Sequence, residues 1–185
     1  MIDEVLSDAE ERMNKSLDTL RRDLGGIRTG RASTGLIDRL DIDYYGTVMP
    51  LNQLANISAP EAHLLVVQPW DKSATSAIEK ALRTSELGLN PSSDGQVIRI
   101  AIPPLTEERR KSLVKLVRHT VEDNRVAIRN IRRDALAQIK EMLHEKMIGE
   151  DEERRAEHQV DELTKRYVSE AEKIGKHKEG EVLEF

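Results

Sequence analysis

The sequence predicts an α+β protein: an elongated three-helix bundle with a small mixed αβ domain inserted between its first and second long helices. Three features lead there. The segment from Thr106 to about Met147 contains no Gly and no Pro, the residues that most disfavour a helix interior, and repeats apolar residues at helical spacing. Residues 2–29 and 151–178 carry apolar stripes of the same period. Between the first and second of these helices, short alternating runs are punctuated by Gly, Pro and Asn. The expected division is residues 1–30 plus 105–185 for the bundle and 31–104 for the insert.

In the first helix, Ile2, Val5, Leu6, Ala9, Met13, Leu17, Leu20, Leu24 and Ile27 form one narrow stripe, and Gly25-Gly26 weakens the last turn before Gly30. Beyond Arg31 the period changes. Leu40, Ile42 and Tyr44 alternate with Asp41, Asp43 and Tyr45, which predicts a half-buried strand. Gly46 marks a turn and Thr47–Met49 the return strand. Gln53–Ser58, His63–Gln68 and Val97–Ile102 read as further strands, and a short helix capped by Asp71 or Ser73 runs to about Ser85. Asn90-Pro91 and Asp94-Gly95 read as turns. Trp70 is expected to plug the small core, as is at least one of Tyr44 and Tyr45.

The second long helix would be roughly 60 Å long at about 1.5 Å per residue. Leu113, Val117, Val121, Asn124, Ala127, Ile128, Ile131, Ala135, Ile139 and Met142 share one stripe, with Asn124 its single polar member. Arg110, Lys111, Lys115, Arg118, Arg125, Arg129, Arg132 and Arg133 occupy an arc of roughly 140° beside it, interrupted by Glu122. Arginine suits forked phosphate contacts, so this row is the candidate nucleic-acid surface. The other reading of the row is a solvated face paired with acidic neighbours. After Gly149, an acidic start leads into the third helix, where Val160, Leu163, Tyr167, Ala171 and Ile174 face inward before a polar tail from about Lys178.

Composition narrows the function. The formal net charge is −5, so any nucleic-acid contact must be local. Aromatic residues make up 3% of the chain, too few for a reader that stacks single-stranded bases. There are no cysteines, which removes disulfides, thiolate zinc sites and cysteine nucleophiles. The N-terminus lacks the basic start and apolar run of a secretory signal, and no apolar stretch is long enough to span a membrane. A soluble cytoplasmic protein without membrane contact is expected. Glu141-x-x-His144 has no second copy, so no metal and no cofactor are expected. No nucleophile elbow or phosphate-cradling loop occurs, which argues against an enzyme.

Several motifs together resemble the bacterial ribosome recycling factor family. They are Ile27 to Ser33 (IRTGRAS), Tyr44-Tyr45-Gly46, Leu87 to Pro91 (LGLNP), Ile102 to Lys111 (IPPLTEERRK) and Arg125 to Ala135 (RVAIRNIRRDA). The resemblance covers the whole chain. It implies an L-shaped, non-enzymatic translation factor whose two domains meet at a hinge. Such a factor binds the post-termination ribosome through large-subunit ribosomal RNA. With elongation factor G and GTP it releases the mRNA and recycles the subunits. Carried over by motif, the RNA-binding candidates are Arg28, Arg31, Arg110, Arg129, Arg132 and Arg133; the helical wheel selects the last four as well and adds Lys115, Arg118 and Arg125. Hinge candidates are Thr29, Gly30, Arg31, Pro103, Pro104 and Leu105. A monomer is expected. Thr34 stands where the family often has Pro, and Leu136 where it often has Asn. The alternative is a helical scaffold or chaperone whose basic row meets acidic protein partners.

Overall fold

The computed structural model describes residues 1–184. The chain forms two compact units, Met1–Arg28 with Glu107–Glu184, and Thr29–Thr106. The first consists of three long helices, α1 (Ile2–Gly25), α3 (Glu107–His144) and α4 (Glu150–Glu184). The second holds strands β1 (Asp41–Tyr44), β2 (Thr47–Pro50), β3 (Ala55–Glu61), β4 (Leu64–Pro69), β5 (Pro91–Ser93) and β6 (Ile98–Ala101), with helix α2 (Thr75–Thr84) between β4 and β5. The architecture is therefore α+β, as expected.

The bundle core follows the helical period. From α1 come Val5, Ala9, Met13, Leu17, Leu20 and Leu24; from α3 Val117, Val121, Ile128, Ile131, Ala135 and Ile139; from α4 Ala156, Val160, Tyr167 and Ala171. Each set recurs at three, four or seven residues, with the buried Asn124 and Thr164 in the longer gaps, which places it on one face. The single polar member of the α3 stripe is accommodated by α1: Asn124 Nδ2 donates to the carbonyl and to Oγ of Ser16, both at 2.8 Å. A buried amide is tolerated only with such partners.

Three boundaries differ from expectation. Helix α1 ends at Gly25, not near Arg28, because the N–H of Gly26 turns back to the Arg22 carbonyl and that of Ile27 to Leu24. Helix α3 ends at His144, and Lys146 takes a positive φ of 61° in the turn that follows. Helix α4 does not stop near Lys178. It runs on through Gly175 and Gly180 to Glu184, and Val182 is buried. Position Phe185, the end of the expected polar tail, lies outside the described residues.

In the second unit, β1 and β2 form a hairpin, and β3-β4-β6-β5 form an antiparallel sheet. The hairpin turn is Tyr45-Gly46, with φ of 50° and 81°; two positive φ values suit the twist of a two-residue connection. Alternation buries Leu65 and Val67 of β4, and Ile98 and Ile100 of β6, against Ile78 and Leu82 of α2. Strand β5 was expected to be a turn. Pro91 has no N–H to give, yet it sits on an edge strand beside Ile100, where only one side is paired. Trp70 is a second correction: it is 65% exposed, because the core is filled by Ile and Leu and its position falls on the outward side of the β4 alternation. Tyr44 packs against the core, whereas Tyr45 is exposed. The Tyr44 hydroxyl donates to Asp71 Oδ2 at 2.6 Å, which holds the Asp71 carboxyl below its ordinary range and raises the Tyr44 phenol.

Candidate nucleic-acid interface

Helix α3 carries the basic row. With no Gly or Pro to interrupt it, the helical period holds Arg118, Arg125 and Arg132 seven residues apart on one side of the rod. Helix α4 packs alongside and meets each of them with a carboxylate. Arg118 Nε donates to Glu179 Oε1 at 2.9 Å, Arg132 Nε donates to Asp161 Oδ1 at 2.8 Å, and Arg125 Nε lies 3.6 Å from Glu172 Oε1. Glu122, the acidic break in the row, takes a hydrogen bond from Arg125 Nη1 at 3.0 Å and stands 3.8 Å from Arg129 Nη1.

The candidate cations of the row and of the segment around Gly30 differ in what they meet, and Lys111 of the row pairs with Glu107 one turn before it. Arg118, Arg125, Arg129 and Arg132 are paired with carboxylates of their own protein. Arg28, Lys115 and Arg133 are exposed and make no ion pair among the described residues. Arg110 is half-buried, and its Nε is enclosed without a hydrogen-bond partner. Arg31, in the second unit, is exposed and engaged in an interaction of its own. None of the pairs is deeply buried: the Arg132 and Asp161 side chains are 41% and 45% exposed. Exposed pairs contribute only about 0.2–1 kcal/mol and are screened by salt, so they do not lock the arginines away from a stronger anion.

Arg129, Arg132, Arg133 and Lys140 surround a shallow groove of about 370 Å³ whose apolar lining is Leu136 and Ala137. Leu136 is half-buried against the bundle core, so the residue that replaces the family's frequent Asn is used for packing. Sequence reasoning missed Lys140, although it lies two turns beyond Arg133. It also missed Asp161, Glu172 and Glu179; the matching seven-residue interval of 172–179 and 118–125 was the available signal.

The residues expected to form a joint lie at the edge of the second unit. Gly30 has φ +77°, and a Cβ there would come 2.8 Å from Cγ of Leu105. His63 bonds to one crossing segment and to the residue before the other: its Nδ1 lies 3.1 Å from the Gly30 carbonyl, and its own carbonyl accepts from the N–H of Ile102 at 2.8 Å. Thr29 and Leu105 are half-buried, while Pro103 and Pro104 are exposed. Glu141 and His144 both face solvent, and no group of three or more metal-ligating side chains occurs among the described residues. No described helix is long and apolar enough to cross a membrane.

Comparison with known proteins agrees with this architecture. Residues 20–183 match the family described as ribosome recycling factor. The chain is 65% identical over 185 residues to the ribosome-recycling factor of Thermomicrobium roseum, and 54% identical over 185 residues to that of a Roseiflexus species, with 100% of each chain covered. It is similar to a solution structure of the ribosome recycling factor, with 42% identity, a TM-score of 0.72, and coverage of 100% of this chain and 98% of that one. A second similar structure is described as models for the T. thermophilus ribosome recycling factor and the E. coli elongation factor G bound to the E. coli post-termination complex. There the identity is 48%, the TM-score 0.62, and the coverage 99% of both chains.

Proposed function

This chain belongs to the ribosome recycling factor family, and we propose that it docks on large-subunit ribosomal RNA through the basic flank of α3. Members of the family are translation factors that act on ribosomes, not enzymes. In the proposed mechanism the chain works with elongation factor G and GTP to free the post-termination ribosome from mRNA and recycle its subunits. That ribosomal role places its action in the cytoplasm. The bundle contributes binding energy and stiffness, and nucleotide hydrolysis belongs to the partner.

One observation carries the RNA contact. Arg129, Arg132, Arg133 and Lys140 converge on one groove of a helix whose protein is otherwise acidic overall. A charge-assisted hydrogen bond to phosphate is worth about 1.5–3 kcal/mol, more than an exposed ion pair that competes with it, such as that of Arg129 with Glu122. Arg133 has no carboxylate to leave. Arg133→Ala is expected to weaken binding to isolated large subunits and to lower the slope of log affinity against log salt by about one phosphate. Unchanged affinity and an unchanged slope would favour the scaffold reading, in which the row meets acidic proteins.

The joint is part of the same proposal. Only two chain segments, Thr29–Arg31 and Pro103–Leu105, pass between the bundle and the inserted unit, and neither has helical or strand structure. Connections this sparse favour relative motion of domains. A pair of spin labels, one on each unit, should give a broad distance distribution; a single narrow distance would remove the joint from the mechanism.

A further inference from the structure

The carboxylates around the arginine row meet the guanidinium groups at two different places. Asp161 and Glu179 accept from Nε of Arg132 and Arg118, at 2.8 and 2.9 Å. The amino groups Nη1 and Nη2 of both arginines have no hydrogen-bond partner among the described residues. Glu122 does the opposite: it takes Nη1 of Arg125 and faces Nη1 of Arg129. The two amino groups form part of the planar fork that suits phosphate. A carboxylate at Nε leaves that pair available and restricts the plane in which it lies. A carboxylate at Nη occupies it.

We infer that Asp161 is a positioning residue for ribosomal RNA docking: it anchors the Nε edge of Arg132 so that the two amino groups are held ready for one phosphate. This rests on the docking reading above. The long arginine side chain loses rotamer freedom on binding, and prior anchoring reduces that loss. Glu179 stands in the same relation to Arg118. Its side chain is 21% exposed and that of Arg118 71%, whereas Asp161 and Arg132 are about equally exposed at 45% and 41%, so the feature common to the two pairs is the Nε bond and not enclosure of the anchor. Arg125 departs from the pattern, since its Nε stands 3.6 Å from Glu172 Oε1 without a hydrogen bond and its Nη1 is turned to Glu122.

The inference gives a sign opposite to that of simple charge. Removing a carboxylate from a phosphate-binding surface should raise affinity if only the summed field matters. If Asp161 acts through Arg132, Asp161→Ala lowers it. Binding to isolated large ribosomal subunits should be measured by co-sedimentation for the full chain, Asp161→Ala, Asp161→Glu, Arg132→Ala and the double variant. Thermal unfolding should be followed in parallel to exclude loss of fold. The expected result is a loss of about three- to tenfold for Asp161→Ala, in the range of couplings between contacting residues, with partial recovery in Asp161→Glu. In the Arg132→Ala background, Asp161→Ala should cause no loss and a slight gain, a reversal that a structural defect would not produce. Equal or higher affinity of Asp161→Ala in the parent chain, while Arg132→Ala is weakened, would overturn the positioning role and leave docking intact. An unaffected Arg132→Ala would overturn both.

Discussion

Gly175 in α4 faces Val121 in α3 so closely that a Cβ at position 175 would lie 2.5 Å from Cγ2 of Val121. That approach explains a glycine inside a long helix. It lets the two helices lie near each other where the carboxylates of α4 reach the arginines of α3, with Arg118–Glu179 and Arg125–Glu172 close by in sequence.

Gly175→Ala and Gly180→Ala are expected to act with opposite signs. Either change gains up to about 1 kcal/mol of helix propensity. Position 180 meets nothing within 4 Å, so that gain stands. At position 175 the stiff, β-branched Val121 must move, and overpacking costs about 1–3 kcal/mol. Chemical denaturation should rank the variants Gly180→Ala, parent, Gly175→Ala. A stabilised Gly175→Ala would show that the helix pair yields easily.

Glu122→Gln should strengthen binding to large subunits. It releases Nη1 of Arg125 and of Arg129, and pairs of this exposure are worth up to about 1 kcal/mol, or roughly two- to fivefold in affinity. The salt dependence should steepen with it. Weaker binding would mean that Glu122 orients the arginines instead of competing for them.

Asp94 makes the second unit sensitive to acid. Its carboxylate accepts the N–H of Val97, the guanidinium of Arg99 and the N–H of Gln96, and these bonds hold its pKa well below the usual carboxylate value. A depressed pKa adds stability that is complete above the unfolded value of about 3.9 and is lost as pH falls toward the folded one. Asp94→Ala should therefore be less stable than the parent near neutrality, and the difference should shrink below about pH 4. Parallel stability curves across that range would show that the bonds favour the charged form no more than the neutral one.

Gly30→Ala tests the edge of the second unit. Its φ of +77° is unfavourable for alanine, and the new Cβ meets Leu105 Cγ at 2.8 Å. The φ penalty alone is about 1–2 kcal/mol. Leu105→Ala added to Gly30→Ala should recover part of the loss, because the clash goes and the backbone strain stays. Absence of any recovery, read by chemical denaturation, would remove Leu105 from the explanation.

Much of this was legible in the chain. Periodicity marks the three long helices and nearly all their buried residues, because a helix places every third and fourth side chain on one face whatever lies across from it. The same rule groups the arginines. The IPPLTEERRK and RVAIRNIRRDA runs point to the family. Trp70 shows a signal present but overlooked: its parity relative to Leu65 and Val67 already places it outward. Strand β5 was hidden because Pro91 resembles a breaker until the sheet edge is known.

The pairing of charges belongs to another level. No local pattern says that Asp161 meets Nε of Arg132, or that Glu179 meets Nε of Arg118, whereas Glu122 with Arg125 is a local pair three residues apart on α3. The pairings between helices depend on the axial stagger of α3 against α4, which follows from packing around contacts such as Val121 with Gly175. Residue order determines which side chains share a face; the relative placement of packed helices determines which atoms of those side chains remain open to a ligand.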